Sequence, residues 1–332
     1  MPDYRTAIIG CGGFARTHGQ IISNLSQLDL VACCDTDRSR AEAFSHQYAG
    51  GRAKLFVDFH KLLDQVKLDL VYIALPPFAH TDEVQLAAER GVHIFIEKPI
   101  ALTMKAANDM VRAVKRAGVK SQVGFMSRHA RAVEIVKAQL DSGEAGPPTL
   151  FSGRFYCNSL HAPWWRDKSK CGGQVVEQAI HTYDICRYLL GKPTSVYCRQ
   201  DNLFHRDVPG YTNEDVSASV ITFENGALAS IVATNSAIPN KWLSYWDLIT
   251  KNRSVHFTDS NHATIHLTDA PEPTQLTIAS EKDPYLGETL DLLDAIENDR
   301  ETRAPISEGA ETLRLVLAAD RSAKRGVPIN LA

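Results

Sequence analysis

Two hydrophobic periods divide this chain. Through its first 124 positions, short apolar runs alternate with stretches whose apolar residues recur every three or four positions. The runs are Arg5 to Ile9, Leu28 to Cys34, Lys54 to Val57, Leu68 to Leu75, His93 to Ile96 and Lys120 to Gly124. Near-continuous apolar character is expected of strands buried on both faces. The intervening segments read as helices: one ending near Leu25, then Asp37 to Tyr48, Asp58 to Gln65, one ending at Arg90, and Met104 to Ala117. Strand and helix in strict alternation predict a doubly wound parallel sheet. From Ser195 the period becomes two, in SVYCRQ, DVSASVITF, LASIVATNS, WLSYWDLIT, SVHFTD, ATIHLTD and QLTIAS. That predicts an open, mostly antiparallel sheet. Ser127 to Ser142, Tyr285 to Asn298 and Ala310 to Arg325 are further helices, the last packing back on the body.

The first strand ends in Gly10-Cys11-Gly12-Gly13-Phe14-Ala15 and leads straight into a helix. Gly10 permits a tight turn, Gly12 lets backbone approach a pyrophosphate, and Ala15 keeps helix and strand close. The helix N-terminus favours phosphate. The second strand ends at Asp35, near the distance of roughly 20 residues at which an acid meets the ribose hydroxyls. Asp35 favours NAD, and the neighbouring Arg38 leaves NADP open. The competing role for Asp35 is a helix N-cap. Ligands on such sheets lie beyond the carboxyl ends of the strands. Leu75, Pro76 and His80 follow the fourth strand, and Glu97-Lys98-Pro99 the fifth. These residues complete the expected cofactor set. The chain therefore reads as α/β, with a Rossmann domain over 1–125 and an α+β domain over 126–332.

The most informative stretch is GGQVVEQAIHTYDICR, Gly172 to Arg187. Read as one helix, it places Val175, Val176, Ala179, Ile180 and Ile185 on an apolar stripe. Glu177, His181 and Asp184 then share one face. A carboxylate one turn from an imidazole can orient it as a general base. A solvated face with two acids and a histidine is the competing reading. Lys98, braced by Pro99, is placed to hydrogen-bond a substrate hydroxyl and stabilise an alkoxide. A loop lysine paired only with Glu97 is the alternative.

Taken together, these motifs resemble those of the Gfo/Idh/MocA oxidoreductases over nearly the whole length. The resemblance implies hydride transfer between a nicotinamide cofactor and a sugar, cyclitol or related polyol. It matches Lys98 and His181 to the family's catalytic lysine and histidine, and Asp184 to the acid after the histidine. Glu177 stands where an aspartate is usual, Ala179 where a glycine is common, and Pro77 where an asparagine is common. Two other classes stay open: an NAD-dependent glycosidase that oxidises and reduces within one cycle, and a non-catalytic NAD and ligand sensor.

Other residues are candidates for the substrate. His161, Trp164, Trp165 and Arg166 lie in a polar, aromatic loop ahead of the histidine segment. Such loops offer flat faces and hydrogen-bonding groups to sugars. A tryptophan pair plugging the domain junction is the alternative. Arg128 is placed to contact nicotinamide or substrate, or else is a solvated helix-start arginine.

Composition narrows the partners. The chain has 332 residues and a formal net charge of −3, without a basic run, so no nucleic acid is expected. There is no apolar run of membrane-spanning length and no basic-then-apolar leader. Seven cysteines without a Cys-x-x-Cys pair point to buried thiols in the cytoplasm rather than a metal site or disulfides. The period-two sheet has too few helices to cover both faces. A homo-dimer or homo-tetramer through that sheet is expected.

Overall fold

The computed structural model describes residues 3–331. Two compact units emerge: residues 1–124 with 285–310, and residues 125–284 with 311–332.

In the first unit, β1 (Tyr4–Ile9), α1 (Ala15–Asn24), β2 (Leu28–Cys34), α2 (Arg38–Ala49), β3 (Lys54–Phe56), α3 (Phe59–Gln65), β4 (Leu70–Ile73), α4 (Glu83–Glu89), β5 (His93–Ile96), α5 (Met104–Ala117) and β6 (Ser121–Val123) follow in turn. The strands form one sheet in the order β3-β2-β1-β4-β5-β6, every pair parallel. Local chemistry sets the helix starts. Asp37, Asp58 and Thr103 accept backbone N–H groups as N-caps of α2, α3 and α5, satisfying donors a helix leaves unpaired.

The second unit begins with α6 (Arg131–Asp141), β7 (Pro148–Tyr156), α7 (Lys168–Cys171), α8 (Gln174–Glu177) and α9 (Ile180–Leu190). There follow β8 (Pro193–Asp201), β9 (Val216–Phe223), β10 (Leu228–Thr234), β11 (Leu243–Thr250), β12 (Arg253–Phe257), β13 (Ala263–Leu267) and β14 (Thr274–Ile278). With the terminal β15 (Ile329–Asn330), these strands form a nine-stranded sheet, β14-β13-β12-β11-β7-β10-β9-β8-β15. Only β7 and β10 run parallel. Alternation along the strands buries Phe151, Trp246, Leu248, Ile221, Ile231 and Phe257 on one face. α9 lies against that face. Gly153 of β7 has no side chain because a Cβ there would stand 2.5 Å from the Thr182 methyl. Tyr183 of α9 shares a 2.5 Å hydrogen bond with Ser219 of β9.

The expected division is corrected at one place. α10 (Pro284–Glu297) was expected with the second domain but belongs to the parallel-sheet unit. Its Leu292 and Leu293 pack in one core with Ile8, Leu30, Tyr72 and Phe95, and its Thr289 hydroxyl meets the Tyr72 hydroxyl at 3.0 Å. An apolar stripe is recruited by whichever sheet face is uncovered, not by proximity in sequence. α11 (Ile306–Arg325) starts earlier than the periodicity suggests.

Candidate active site

The glycine loop is built from two different kinds of glycine. Gly10 has a φ of 90°, and a Cβ there would meet the Ala74 carbonyl oxygen at 2.4 Å. It lets β1 pass the end of β4. At Gly12 and Gly13 a Cβ would meet nothing within 4 Å, so these two leave the open approach that a pyrophosphate needs. Ala15 is buried, and Phe14, half exposed, stands edge-on to Tyr285 at 5.8 Å.

Asp35 is fastened to this loop. Its Oδ2 accepts the Cys11 N–H at 2.9 Å and its Oδ1 the Asp37 N–H at 2.9 Å. The N-cap role considered for Asp35 falls to Asp37, which accepts the Ser39 N–H at 3.0 Å. Arg38 is exposed in the first turn of α2. Beyond β4, Leu75 and Pro76 are half-buried. The buried His80 imidazole meets the fully buried Glu83 carboxylate through Nδ1 at 2.5 Å. Burial pushes the Glu83 carboxyl up, but the hydrogen bond and charge of His80 and the Thr81 amide outweigh it and hold it below the usual range.

Glu97 is not a partner waiting for ligand. Its Oε1 lies 2.7 Å from Nε2 of the fully buried His18, and its Oε2 accepts the Lys98 backbone N–H at 3.2 Å. The pair ties α1 to the end of β5, so the phosphate-facing helix and the Lys98 loop share one brace. Sequence reasoning missed His18. Its signal is the position one turn after Ala15, on the buried face of α1. Gly124 must lack a side chain because a Cβ there would stand 2.7 Å from the Glu97 carboxylate. Lys98 is half-buried and joined to Pro99 by a cis peptide.

In the second unit, the expected single helix over 172–187 is corrected to α8 and α9, with a break at Gln178 and Ala179. The Ala179 N–H returns to the Gln174 carbonyl, and the Thr182 and Tyr183 N–H groups both return to Ala179. Glu177 and His181 are therefore not simple i,i+4 neighbours. Tertiary contacts fix the start of α8. Gly173 has a φ of 105°, and a Cβ on it would meet the Glu214 carboxylate at 2.6 Å. Glu214 approaches that closely to accept the Val175 N–H at 2.9 Å, and it is held in turn by Lys168 at 2.8 Å. Burial opposes the Lys168 charge, but Glu214 and Asp320 outweigh it and hold the ammonium above its usual range. Neither Glu214 nor Lys168 was legible as part of this segment.

The segment is buried almost all round rather than along one stripe. His181 is the exception from 174 to 186, partly exposed where its neighbours are buried, and the Phe125 ring stands edge-on to it at 6.2 Å. Glu177 is buried, and its Oε2 accepts the Trp165 indole N–H at 2.8 Å.

Three substrate candidates are corrected. Asp184 and Arg128 are each 1% exposed and form a two-pronged ion pair, Nε to Oδ2 at 2.8 Å and a terminal nitrogen to Oδ1 at 2.7 Å. Thr312 also donates to Asp184 at 2.9 Å. These two residues brace α9 against the 3₁₀ turn after Phe125 and do not present their charges outward. Trp165 is 1% exposed in a cluster with Cys171 and Tyr211, so its face is filled by protein. Trp164 packs on the same cluster, and Arg166 donates to the Leu160 carbonyl at 3.1 Å. His161 is half-buried beside Trp165, with ring centroids 4.4 Å apart.

Among the described residues, no group of three or more His, Cys, Asp or Glu could hold a metal ion, and no helix is long and apolar enough to cross a membrane. Residues 4–125 match the model of the oxidoreductase family with an NAD-binding Rossmann fold, GFO_IDH_MocA. Residues 133–259 match the GFO/IDH/MocA C-terminal domain. The scyllo-inositol 2-dehydrogenase (NAD(+)) of Bacillus subtilis is 32% identical over 235 residues, covering 70% of this chain and 68% of its own. The D-glucoside 3-dehydrogenase of Escherichia coli is 28% identical over 243 residues, 68% of each chain. Levoglucosan dehydrogenase, in complex with NADH and L-sorbose, shares the fold with a TM-score of 0.92 at 20% identity, covering both chains entirely.

Proposed function

The chain belongs to the Gfo/Idh/MocA oxidoreductase family, and from that premise we propose that it oxidises a secondary alcohol of a sugar, cyclitol or related polyol, reversibly. The observation that carries this reading is His181, the one partly exposed residue from 174 to 186, with the buried carboxylate of Glu177 four residues before it. Oxidising an alcohol requires a base for the hydroxyl proton and a positive charge for the oxygen as it becomes an alkoxide. His181 takes the proton, and Lys98 supplies the charge. Glu177, held by Trp165, orients substrate and imidazole. Bound NAD supplies the hydride acceptor. Gly10, Gly12, Gly13, Asp35 and the start of α1 would hold it, Gly12 and Gly13 through their open backbone and Asp35 through the oxygen lone pairs its backbone bonds leave over. The exposed Arg38 keeps NADP within reach.

Cyclitols, sugars and their keto forms, each supplied with NAD(H) or NADP(H), test the reading at the nicotinamide absorbance band. Turnover of one compound class with wild type, and a roughly 10²–10⁴-fold loss in His181→Ala with NAD binding retained, is the expected result. A fully active His181→Ala enzyme ends the assignment.

The outer face of the nine-stranded sheet supports a homo-oligomer. Leu150, Tyr197, Val220 and Leu228, on four successive neighbours β7, β8, β9 and β10, are exposed. A face of this kind is covered by a second copy most simply, because symmetric self-association needs no other partner. Sedimentation should give a dimer or tetramer at micromolar concentration, and a monomer there removes the proposal.

A further inference from the structure

We propose that His18 is a positioning residue for Lys98: acting through the Glu97 carboxylate, it sets where the lysine leaves the backbone. The inference rests on the dehydrogenase reading, in which Lys98 carries the charge for the substrate oxygen.

His18 does not meet substrate or cofactor itself. It is fully buried, and its ring packs among those of Phe95, Tyr72 and Phe14, with centroids 4.6, 5.4 and 5.8 Å away. An apolar side chain would suit such a place, because a buried imidazole gives up its bonds to water. Only one ring nitrogen recovers a bond. Nε2 lies 2.7 Å from Glu97 Oε1, whereas Nδ1 has no hydrogen-bond partner among the described residues. A carboxylate oxygen accepts, so the hydrogen-bond pattern assigns the ring proton to Nε2. A histidine kept in an aromatic pocket for a single bond points to a use for that bond.

The bond fixes a side chain with several rotatable bonds. Glu97 stands at the end of β5, where its backbone N–H joins the Ile73 carbonyl at 2.9 Å. With Oε1 anchored at His18, Oε2 turns back to accept the Lys98 N–H at 3.2 Å. The end of β6 makes room for this turn. A Cβ on Gly124 would stand 2.7 Å from Oε2 and 2.8 Å from Oε1, and the Gly124 N–H is itself bonded to the Ile96 carbonyl at 2.9 Å. The carboxylate therefore lies between α1, the end of β5 and the end of β6, and the first atom of Lys98 is bonded to it. Displacing the carboxylate frees that amide, and the ammonium on its flexible stem inherits the error. A developing alkoxide is stabilised best by a charge already in place, so a small shift at the backbone reaches the rate.

His18 also lies one turn along α1 from Ala15, at the helix start that would face a pyrophosphate. α1 is held independently through Ile21 and Ile22, both buried. Loss of the His18 bond should therefore leave the dinucleotide site in place and disturb the Lys98 end alone.

Selective labelling of the lysine amides with heavy nitrogen tests this. Amide hydrogen exchange is followed by NMR, with the Lys98 signal assigned by its absence from Lys98→Arg. His18→Leu and Gly124→Ala act on the carboxylate from two different elements. Each should speed exchange of the Lys98 amide roughly tenfold, the loss expected for a hydrogen bond to a charged group. The Lys120 amide, bonded to His93 Nδ1 at 2.9 Å, is the control and should change less than about threefold. The side-chain nitrogen of glutamine falls near Nε2 of histidine and that of asparagine near Nδ1. His18→Gln should accordingly keep wild-type exchange, and His18→Asn should not. With the compound that wild type turns over, His18→Leu should lower kcat roughly tenfold while its Kd for NAD, from calorimetry, stays within about threefold. His18→Gln should restore kcat. Unchanged Lys98 exchange in either His18→Leu or Gly124→Ala, equal acceleration at Lys120, equal behaviour of the Asn and Gln variants, or a full kcat in His18→Leu overturns the proposal. The exchange measurements use no substrate, so an active His181→Ala enzyme, which ends the dehydrogenase reading, leaves them readable.

Discussion

The Trp165 indole N–H donates to Glu177 Oε2 at 2.8 Å, with both residues buried. The acid four residues ahead of His181 is thus fastened to the loop that precedes it, and a fixed carboxylate can orient an imidazole where a mobile one cannot. Trp165→Phe removes the donor and keeps an aromatic ring. The lost charge-assisted bond should cost about 1.5–3 kcal/mol, with the smaller ring adding to it. A double-mutant cycle with Glu177→Leu, which lacks an acceptor, followed by urea unfolding, isolates the bond. A coupling below about 0.5 kcal/mol would mean that it contributes nothing of its own.

The Arg128–Asp184 pair is buried on both sides, and Arg128 also lies over the Tyr188 ring at 4.7 Å. Removing one partner strands a charge that the interior cannot solvate. Asp184→Asn should therefore destabilise by about 3–5 kcal/mol. Replacing both residues by apolar ones of similar size should restore part of that loss. Chemical denaturation of the two single variants and the double variant checks the order, and a double variant less stable than both would contradict it.

The two glycines of the loop should fail differently. Gly10→Ala meets the Ala74 carbonyl and a backbone φ of 90°, so it should impair folding. Gly12→Ala meets no protein atom within 4 Å and should leave the melting temperature within a degree or two. It should nevertheless weaken NAD at least roughly tenfold, because the methyl stands where the pyrophosphate approaches. Melting curves with and without NAD separate the two cases.

Burial pushes the thiols of Cys34 and Cys157 up to about 12, and those of Cys171 and Cys198 up to about 11. In the unfolded chain they ionise near 9. Above pH 9 the folded state therefore holds more protons than the unfolded state, and stability falls as pH rises. Full stability from these groups is expected below pH 9, with progressive loss from there towards 11 and 12. Native protein at pH 7.5 should resist thiol alkylation, while denatured protein exposes all seven cysteines. Rapid modification of the native protein would refute this.

Gly10, Asp35 and Lys98 were legible because their signals are local. A turn that needs a positive φ admits glycine almost alone, and a strand end followed by a helix start places its residues wherever the rest of the chain goes. The same holds for the two hydrophobic periods, since burial on both faces or on one is written directly into the alternation. His18, Glu214 and Lys168 were not legible. Each acts on a residue far along the chain, and nothing in the spacing says which distant backbone amide or carboxylate will be within 3 Å.

By itself, then, the sequence determined the parallel sheet, the second sheet of opposite period, the glycine loop and the candidates Lys98, Glu177 and His181. Tertiary structure decided which of the neighbouring groups are free to meet a ligand. It turned Trp165, Arg128 and Asp184 inward, because a buried carboxylate and guanidinium must be paired and a buried indole N–H must find an acceptor. It broke the helix at Gln178 and Ala179, and it fastened α8 through Glu214 at its start and Trp165 at Glu177. It also left Trp242, just before β11, with its indole exposed.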